Sequence, residues 1–242
     1  DVSDTALWVA HYRAVETERP DAILRDPLAR VLVGERGAAI ADSFTRTGQY
    51  TAWTVVARTV IIDEYIMAAL RAGVDAVVNL GAGLDTRPYR MELPASLPWI
   101  EADFPHMVEY KAGKLRDKAP RCQLLRVGLD LSDDDARRQF LANVAPGARR
   151  ILVLTEGVIP YLTEAQVAKL ADDLHSRPQV ALWVAEYFSP MAYRYLKQMT
   201  QGRQMANAPF QFFPADWLGF FRERGWEQRE LHFFGEIAQR FN

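Results

Sequence analysis

From Ala76 onward the chain repeats one unit, a short apolar run followed by a helical stretch. "AVVNL" (76–80), "LPWIEAD" (97–103), "CQLLRVGLDL" (122–131), "RRILVLTEGV" (149–158) and "QVALWVAEY" (179–187) read as strands. Between them, residues 107–118, 133–143 and 164–175 carry apolar side chains at helical spacing, and Thr163 to Gln166 reads as a capping box opening the last of these helices. Strands that alternate with helices are joined by crossovers, which predicts a mostly parallel, doubly wound α/β sheet covered on both faces. Ligands of such sheets sit at the carboxyl ends of the strands. The strand-end residues are therefore the ones to read for function.

Two longer helical patterns precede the first strand. One begins near Ala6 and breaks near Pro20 and Pro27; the other covers residues 51–72, with Gly73 placed to end it. After residue 189 the pattern loosens. A helix is expected in "ADWLGFFRERGW" (215–226) and a sixth strand in "WEQRELHFF" (226–234). With 242 residues, one domain is expected.

Composition narrows the partners. The net charge of -2 gives no electrostatic reason to expect nucleic acid. Arg137-Arg138 and Arg149-Arg150 read as solvated helix or strand ends. The most apolar helical stretch is interrupted by Arg58, Asp63 and Glu64, so no membrane span is expected. No signal peptide is visible, and the single cysteine, Cys122, allows no internal disulfide; a cytoplasmic location is expected. No His/Cys/carboxylate spacing suggests a metal, and there is no G-x-S-x-G elbow.

The first strand runs into Gly81-Ala82-Gly83. Glycines there let backbone approach a ligand, although a purely structural turn is the competing reading. A dinucleotide loop wants a third glycine where this chain has Thr86, and Asp85 would repel a pyrophosphate. No P-loop occurs. A ligand with ribose and adenine but no phosphate suits the turn better, and S-adenosylmethionine is such a cofactor. Glu101 or Asp103, at the end of the second strand, can accept from ribose hydroxyls; the alternative is a solvated loop carboxylate. Asp130 can accept from an adenine amino group with Leu131 packed on the ring, or can cap the next helix. Glu156, after the fourth strand, can meet an ammonium.

Together "VVNLGAGLDTRPYR", "EADFP", "GLDL" and "TEGVIPYLTEAQV" resemble the leucine carboxyl methyltransferase family, and more closely its bacterial polyketide O-methyltransferase branch. "YRAVETERPDAILRDPLA" and "ARTVIIDEYI" resemble that branch's N-terminal signatures. The resemblance implies a class I, Rossmann-like methyltransferase fold with an N-terminal helical cap. Its divisions here would be a cap over residues 1–73, a cofactor-binding core over 74–188, an acceptor-side helical insertion over 189–223 and a returning strand over 224–242. It implies S-adenosylmethionine as donor, S-adenosylhomocysteine as product, and a carboxylate or hydroxyl oxygen as acceptor; the aromatic-rich "APFQFFPADW" fits a small-molecule acceptor better than the alternative, a protein C-terminus. Carried over by position, Arg58 holds the methionyl carboxylate with Arg13 as a second basic contact. The turn Gly81, Ala82 and Gly83 lies against the methionyl part. Asp103 rather than Glu101 takes the ribose, Asp130 and Leu131 flank the adenine, and Glu156 faces the amino group.

Read without the resemblance, Arg58 is a snorkelling surface side chain. A seventh strand, expected of such sheets, is not found in the sequence. No general base is assigned: His11, His106, His175 and His232 are scattered, and Tyr161 and Tyr187 lie near strand ends. Arg87 either braces the loop or points to the acceptor. Two competing functions are a nicotinamide-dependent oxidoreductase, disfavoured by Thr86, and a non-catalytic cofactor-binding relative.

Overall fold

The structure, a computed structural model, describes residues 2–34, 48–187, 191, 194, 209–232 and 240. Two helices come first, α1 (Val2–Glu18) and α2 (Gly48–Arg71). The alternating part then follows as β1 (Ala76–Leu80), the short α3 (Arg87–Arg90), β2 (Pro98–Asp103), α4 (Pro105–Lys114), β3 (Gln123–Gly128), α5 (Asp134–Asn143), β4 (Ile151–Thr155), α6 (Glu164–His175) and β5 (Val180–Ala185). A last helix, α7, spans Trp217–Arg222. The capping box of α6 is formed, with Thr163 and Gln166 bonding each other's backbone amides.

The five strands form one sheet in the order β3-β2-β1-β4-β5, every pair parallel. This is the doubly wound sheet expected from the alternation. All five residues of β1 and of β4 are buried, as strands covered on both faces must be. The period-2 geometry divides their side chains between two cores. Val78 and Leu80 join Ile100, Val153, Leu141, Leu170 and Phe220 on the face covered by α5, α6 and α7. Val77, Trp99, Leu152 and Leu154 meet Ile62 and Ile66 of α2 on the other. A third cluster joins Leu7 and Ala10 of α1 to Leu32, Leu84 and Met107, so α1 rests on the turn that leaves β1.

Three sequence expectations change. Residues 226–232 form no strand, and the rest of that expected strand lies outside the described residues, as does most of the insertion expected at 189–223. Trp226 instead packs its ring on Trp183 and His175 and donates its indole N–H to the Ala171 carbonyl. Arg137, read as a solvated end, is buried: its guanidinium bonds Asp173, Asp134 and the Leu131 carbonyl, which pins α5 to α6 and to the end of β3. Arg138, Arg149 and Arg150 are exposed as expected. The cap of α5 is Asp133, not Asp130; its carboxylate accepts from the amides of Asp135 and Ala136.

Among the described residues, no helix is long and apolar enough to cross a membrane, and no cluster of His, Cys, Asp and Glu has the makings of a metal site.

Candidate cofactor site

The carboxyl ends of the strands bring the predicted residues to one edge of the sheet. The turn after β1 begins at Gly81, whose amide donates to the Ala102 carbonyl at 2.7 Å. Gly81 has φ +67°, and a Cβ there would lie 2.3 Å from Val158 Cγ2. Backbone conformation and lack of space both require glycine at this position. Gly83, at φ +45°, faces the Ala6 side chain of α1. Its amide donates to Asp103 Oδ2 at 2.6 Å, and Asp103 Oδ1 accepts from the Phe104 amide at 2.7 Å. The acid at the end of β2 is thereby tied to the glycine turn at the end of β1. Burial pushes the Asp103 carboxyl up, against the pull of these two amides.

Glu101 does something else. It is buried, with Oε1 on Lys111 Nζ at 2.8 Å and Oε2 on Arg126 Nε at 2.9 Å. Arg126 also donates to the Tyr89 hydroxyl at 2.6 Å. Asp103 lies two positions further along β2, and the ion pairs of Glu101 link β2 to α4 and β3 beneath the edge. Asp130 is exposed and accepts from the amide and hydroxyl of Ser132, while Leu131 is half-buried against the core.

Arg58, Arg87 and Glu156 meet at the centre. Arg58, on α2, faces the sheet edge with its side chain 13% exposed, not the solvent. Its Nε donates to Glu156 Oε1 at 2.9 Å and its Nη1 to Glu186 Oε1 at 3.1 Å. Arg87, 2% exposed, donates through Nη1 to Glu156 Oε2 at 2.7 Å and to Asp85 Oδ2 at 3.0 Å, and through Nε to Asp63 Oδ1 at 2.6 Å. Arg90 holds Asp63 from the other side at 2.5 and 2.9 Å. Arg87 is thus the brace of the loop. Asp85 also accepts from Asn79 Nδ2 at 2.8 Å; Arg87 pairs with it but is shared with Asp63 and Glu156. Asp85 therefore still weighs against a pyrophosphate, as does Thr86, fully buried where a dinucleotide loop has glycine.

Charge decides the protonation states. Burial works against ionisation of Glu156, yet Arg87 and Arg58 together hold its carboxyl down to about 2. Glu186 is also buried, and there burial wins: with Arg58 pulling down and Glu156 pushing up, its carboxyl is raised to about 7.

Arg13 is buried with its Nε on Asp26 Oδ2 at 2.9 Å and its Nη2 on the Leu84 carbonyl at 2.6 Å. It straps α1 to the glycine turn. Tyr161 is hydrogen-bonded to Thr5, and burial raises its phenol above the ordinary value. Tyr187 is exposed and packs on Trp217, and His106 stacks on Phe104. Sequence reading missed Glu186, Asp63 and Arg90. The rule that singled out Glu156, a carboxylate directly after a buried strand, also finds Glu186.

A parallel sheet of this order, with glycine turn and acids along one edge, is a Rossmann-like α/β fold, the fold that class I methyltransferases have. A DUF574 family protein from Streptomyces avermitilis superimposes with a TM-score of 0.59 at 13% identity, over 88% of this chain and 80% of that one. Within that fold the sequence profile of leucine carboxyl methyltransferase matches residues 6–175, and the chain belongs to this family. A relative from Mycobacterium marinum, bearing the name "Putative S-adenosyl-L-methionine-dependent methyltransferase", is 32% identical over 224 residues, 85% of this chain and 70% of its own length. One of the same name from Mycobacterium tuberculosis is 38% identical over 186 residues; that match covers 71% of this chain and 60% of the relative.

Proposed function

We propose that this chain transfers a methyl group from S-adenosylmethionine to a carboxylate or hydroxyl oxygen of a small molecule. The observation that carries the reading is the convergence of the glycine turn, Asp103, Glu156 and Arg58 on one sheet edge. When bound, S-adenosylmethionine supplies a methyl group already activated on a sulfonium. The protein's part is then position and exclusion of water.

The residues fit that group. Asp103 spends one lone pair of each oxygen on backbone amides and keeps others for ribose hydroxyls. The turn at Gly81 to Gly83 brings backbone close where side chains would intrude. The buried cluster pairs Arg58, Arg87 and Arg90 with Asp63, Asp85, Glu156 and Glu186, and so falls one positive charge short when all are ionised. S-adenosylmethionine, with one carboxylate, one ammonium and one sulfonium, carries that net charge. Arg58 takes the methionyl carboxylate bidentately, and Asp130 and Leu131 flank the adenine. Arg13 acts on the ligand through the Leu84 carbonyl rather than by touching it.

Tyr161, with its phenol held above the ordinary value, stays protonated at neutral pH and serves as a donor, not a base. That favours an acceptor oxygen already ionised, a carboxylate. The polyketide-like branch suggests a metabolite of secondary metabolism in the cytoplasm. Calorimetric titration with S-adenosylhomocysteine tests the cofactor: saturable binding to wild type, weakened roughly tenfold or more (about 1.4 kcal/mol or more) in Asp103→Ala, is expected. Absence of saturable binding to folded wild type overturns the reading. Transfer of isotope-labelled methyl into a metabolite extract then identifies the acceptor.

A further inference from the structure

Thr155 and Ala185 are paired across β4 and β5, so Glu156 and Glu186 leave the sheet side by side. Arg58 lies between them, but it does not hold them equally. Both oxygens of Glu156 are engaged, one by Arg58 and one by Arg87, and Arg87 is itself fixed by Asp63 and Asp85. Glu156 cannot turn away without unpairing Arg87. Glu186 has only Arg58 as an ion-pair partner among the described residues. Its Oε2 is buried, lies 3.1 Å from Arg58 Nη1, and makes no hydrogen bond among the described residues. A ligand carboxylate arriving at Arg58 therefore displaces Glu186, the more weakly held acid.

We propose that Glu186 is the acceptor of the methyl donor's α-ammonium, reached by an exchange of ion pairs in which Arg58 passes from Glu186 to the donor's carboxylate. The inference rests on the reading of the chain as a binder of S-adenosylmethionine. The exchange balances: one guanidinium–carboxylate pair breaks, another forms, and the freed carboxylate gains the ammonium. Glu156 stays with Arg87 and helps orient the same group.

Protonation gives the exchange a signature. The charged and titratable groups facing Glu186 are Arg58 from α2, Arg87 from α3, Glu156 after β4, and Tyr161 from the turn beyond it; the Gly157 amide adds a hydrogen bond. With its carboxyl near 7, Glu186 is partly protonated around neutrality. An ammonium binds the ionised form, so a protonated Glu186 must release its proton to solvent. Affinity for an amino-acid-bearing ligand then rises with pH through about 7.

The test compares S-adenosylhomocysteine with methylthioadenosine, which lacks the amino-acid part, on wild type and Glu186→Gln. Calorimetry between pH ~5.5 and ~7.5 keeps most of the ligand's α-amino group charged, and two buffers of different ionisation heat count protons. Expected for wild type is an affinity for S-adenosylhomocysteine that rises roughly tenfold or more from the lower to the upper pH, with proton release on binding. Expected for Glu186→Gln is binding weakened roughly tenfold at the upper pH (about 1.4 kcal/mol), with slope and proton release gone. Methylthioadenosine should respond to neither change. Wild-type affinity in Glu186→Gln, or a persisting slope, overturns the proposal while leaving the cofactor reading intact. Failure of wild type to bind either ligand overturns both. Should Glu186→Gln not fold, the wild-type slope and proton count decide: their absence overturns the proposal.

Discussion

Replacing Arg87 by methionine removes the guanidinium that three carboxylates share while keeping an unbranched, apolar side chain. Asp63, Asp85 and Glu156 bond it at 2.6, 3.0 and 2.7 Å, and it is 2% exposed. The magnitude follows from Glu156. Its carboxyl falls from 4.5 to about 2, a difference of about 2.5, and at ~1.36 kcal/mol per unit that is ~3 kcal/mol shared between Arg87 and Arg58. Adding Asp63 and Asp85, which lose a partner as well, places the cost of Arg87→Met at about 3–5 kcal/mol, the range for a broken buried ion pair. Guanidinium chloride unfolding, followed by circular dichroism, measures it.

The sign with pH is fixed. Glu156 has a depressed carboxyl, so its stabilising contribution is present above about 4.5 and is lost as pH falls through about 2. In Arg87→Met, Asp85 and Glu156 lose the charge that holds their carboxyls down, the folded variant takes up protons earlier, and its deficit should shrink as pH is lowered from about 7 towards about 4. A variant within ~1 kcal/mol of wild type at neutral pH, or a deficit that grows on acidification, refutes the account of Arg87 as the electrostatic brace.

Gly81→Ala should destabilise by ~2–4 kcal/mol, from a left-handed φ and a Cβ 2.3 Å from Val158 Cγ2. Val158→Ala in the same chain should restore part of that loss, and a double-mutant cycle with no coupling rules out the clash. Arg13→Met leaves the buried Asp26 without its ion pair, so a loss of ~3 kcal/mol or more is expected, together with faster amide exchange in the glycine turn. Unchanged exchange at Leu84 and Asp85 would show that α1 does not strap the loop. Wild-type stability also carries the raised Glu186 carboxyl: in the absence of ligand, its contribution is full below about 4.5 and lost as pH rises through about 7. Melting temperatures of wild type and Glu186→Gln should diverge over that window, wild type falling relative to the variant.

The sequence by itself determined the elements and the edge on which to look. Alternating β-branched runs and helical spacing are local properties, so "AVVNL" is β1, residue for residue, and the helix at Glu164–His175 has its predicted bounds. The glycine turn and the acids at 103, 130 and 156 were legible because strand ends are legible, and a parallel sheet collects its strand ends on one side. The resemblance of those motifs to one family was legible too, and the family match agrees with it.

Which acid meets which base was decided only in the tertiary structure. Glu101 and Asp103 look alike in "WIEAD", yet the first is spent on Lys111 and Arg126 and the second on the turn. Arg58 and Arg137 read as surface residues because the carboxylates that bury them lie far off in the chain, Glu156 98 residues from Arg58 and Asp173 36 residues from Arg137. Hydrophobic periodicity records which face of an element is covered. Pairing of buried charges depends on the lateral order β3-β2-β1-β4-β5, which sets Glu156 beside Glu186 and leaves one arginine between two acids.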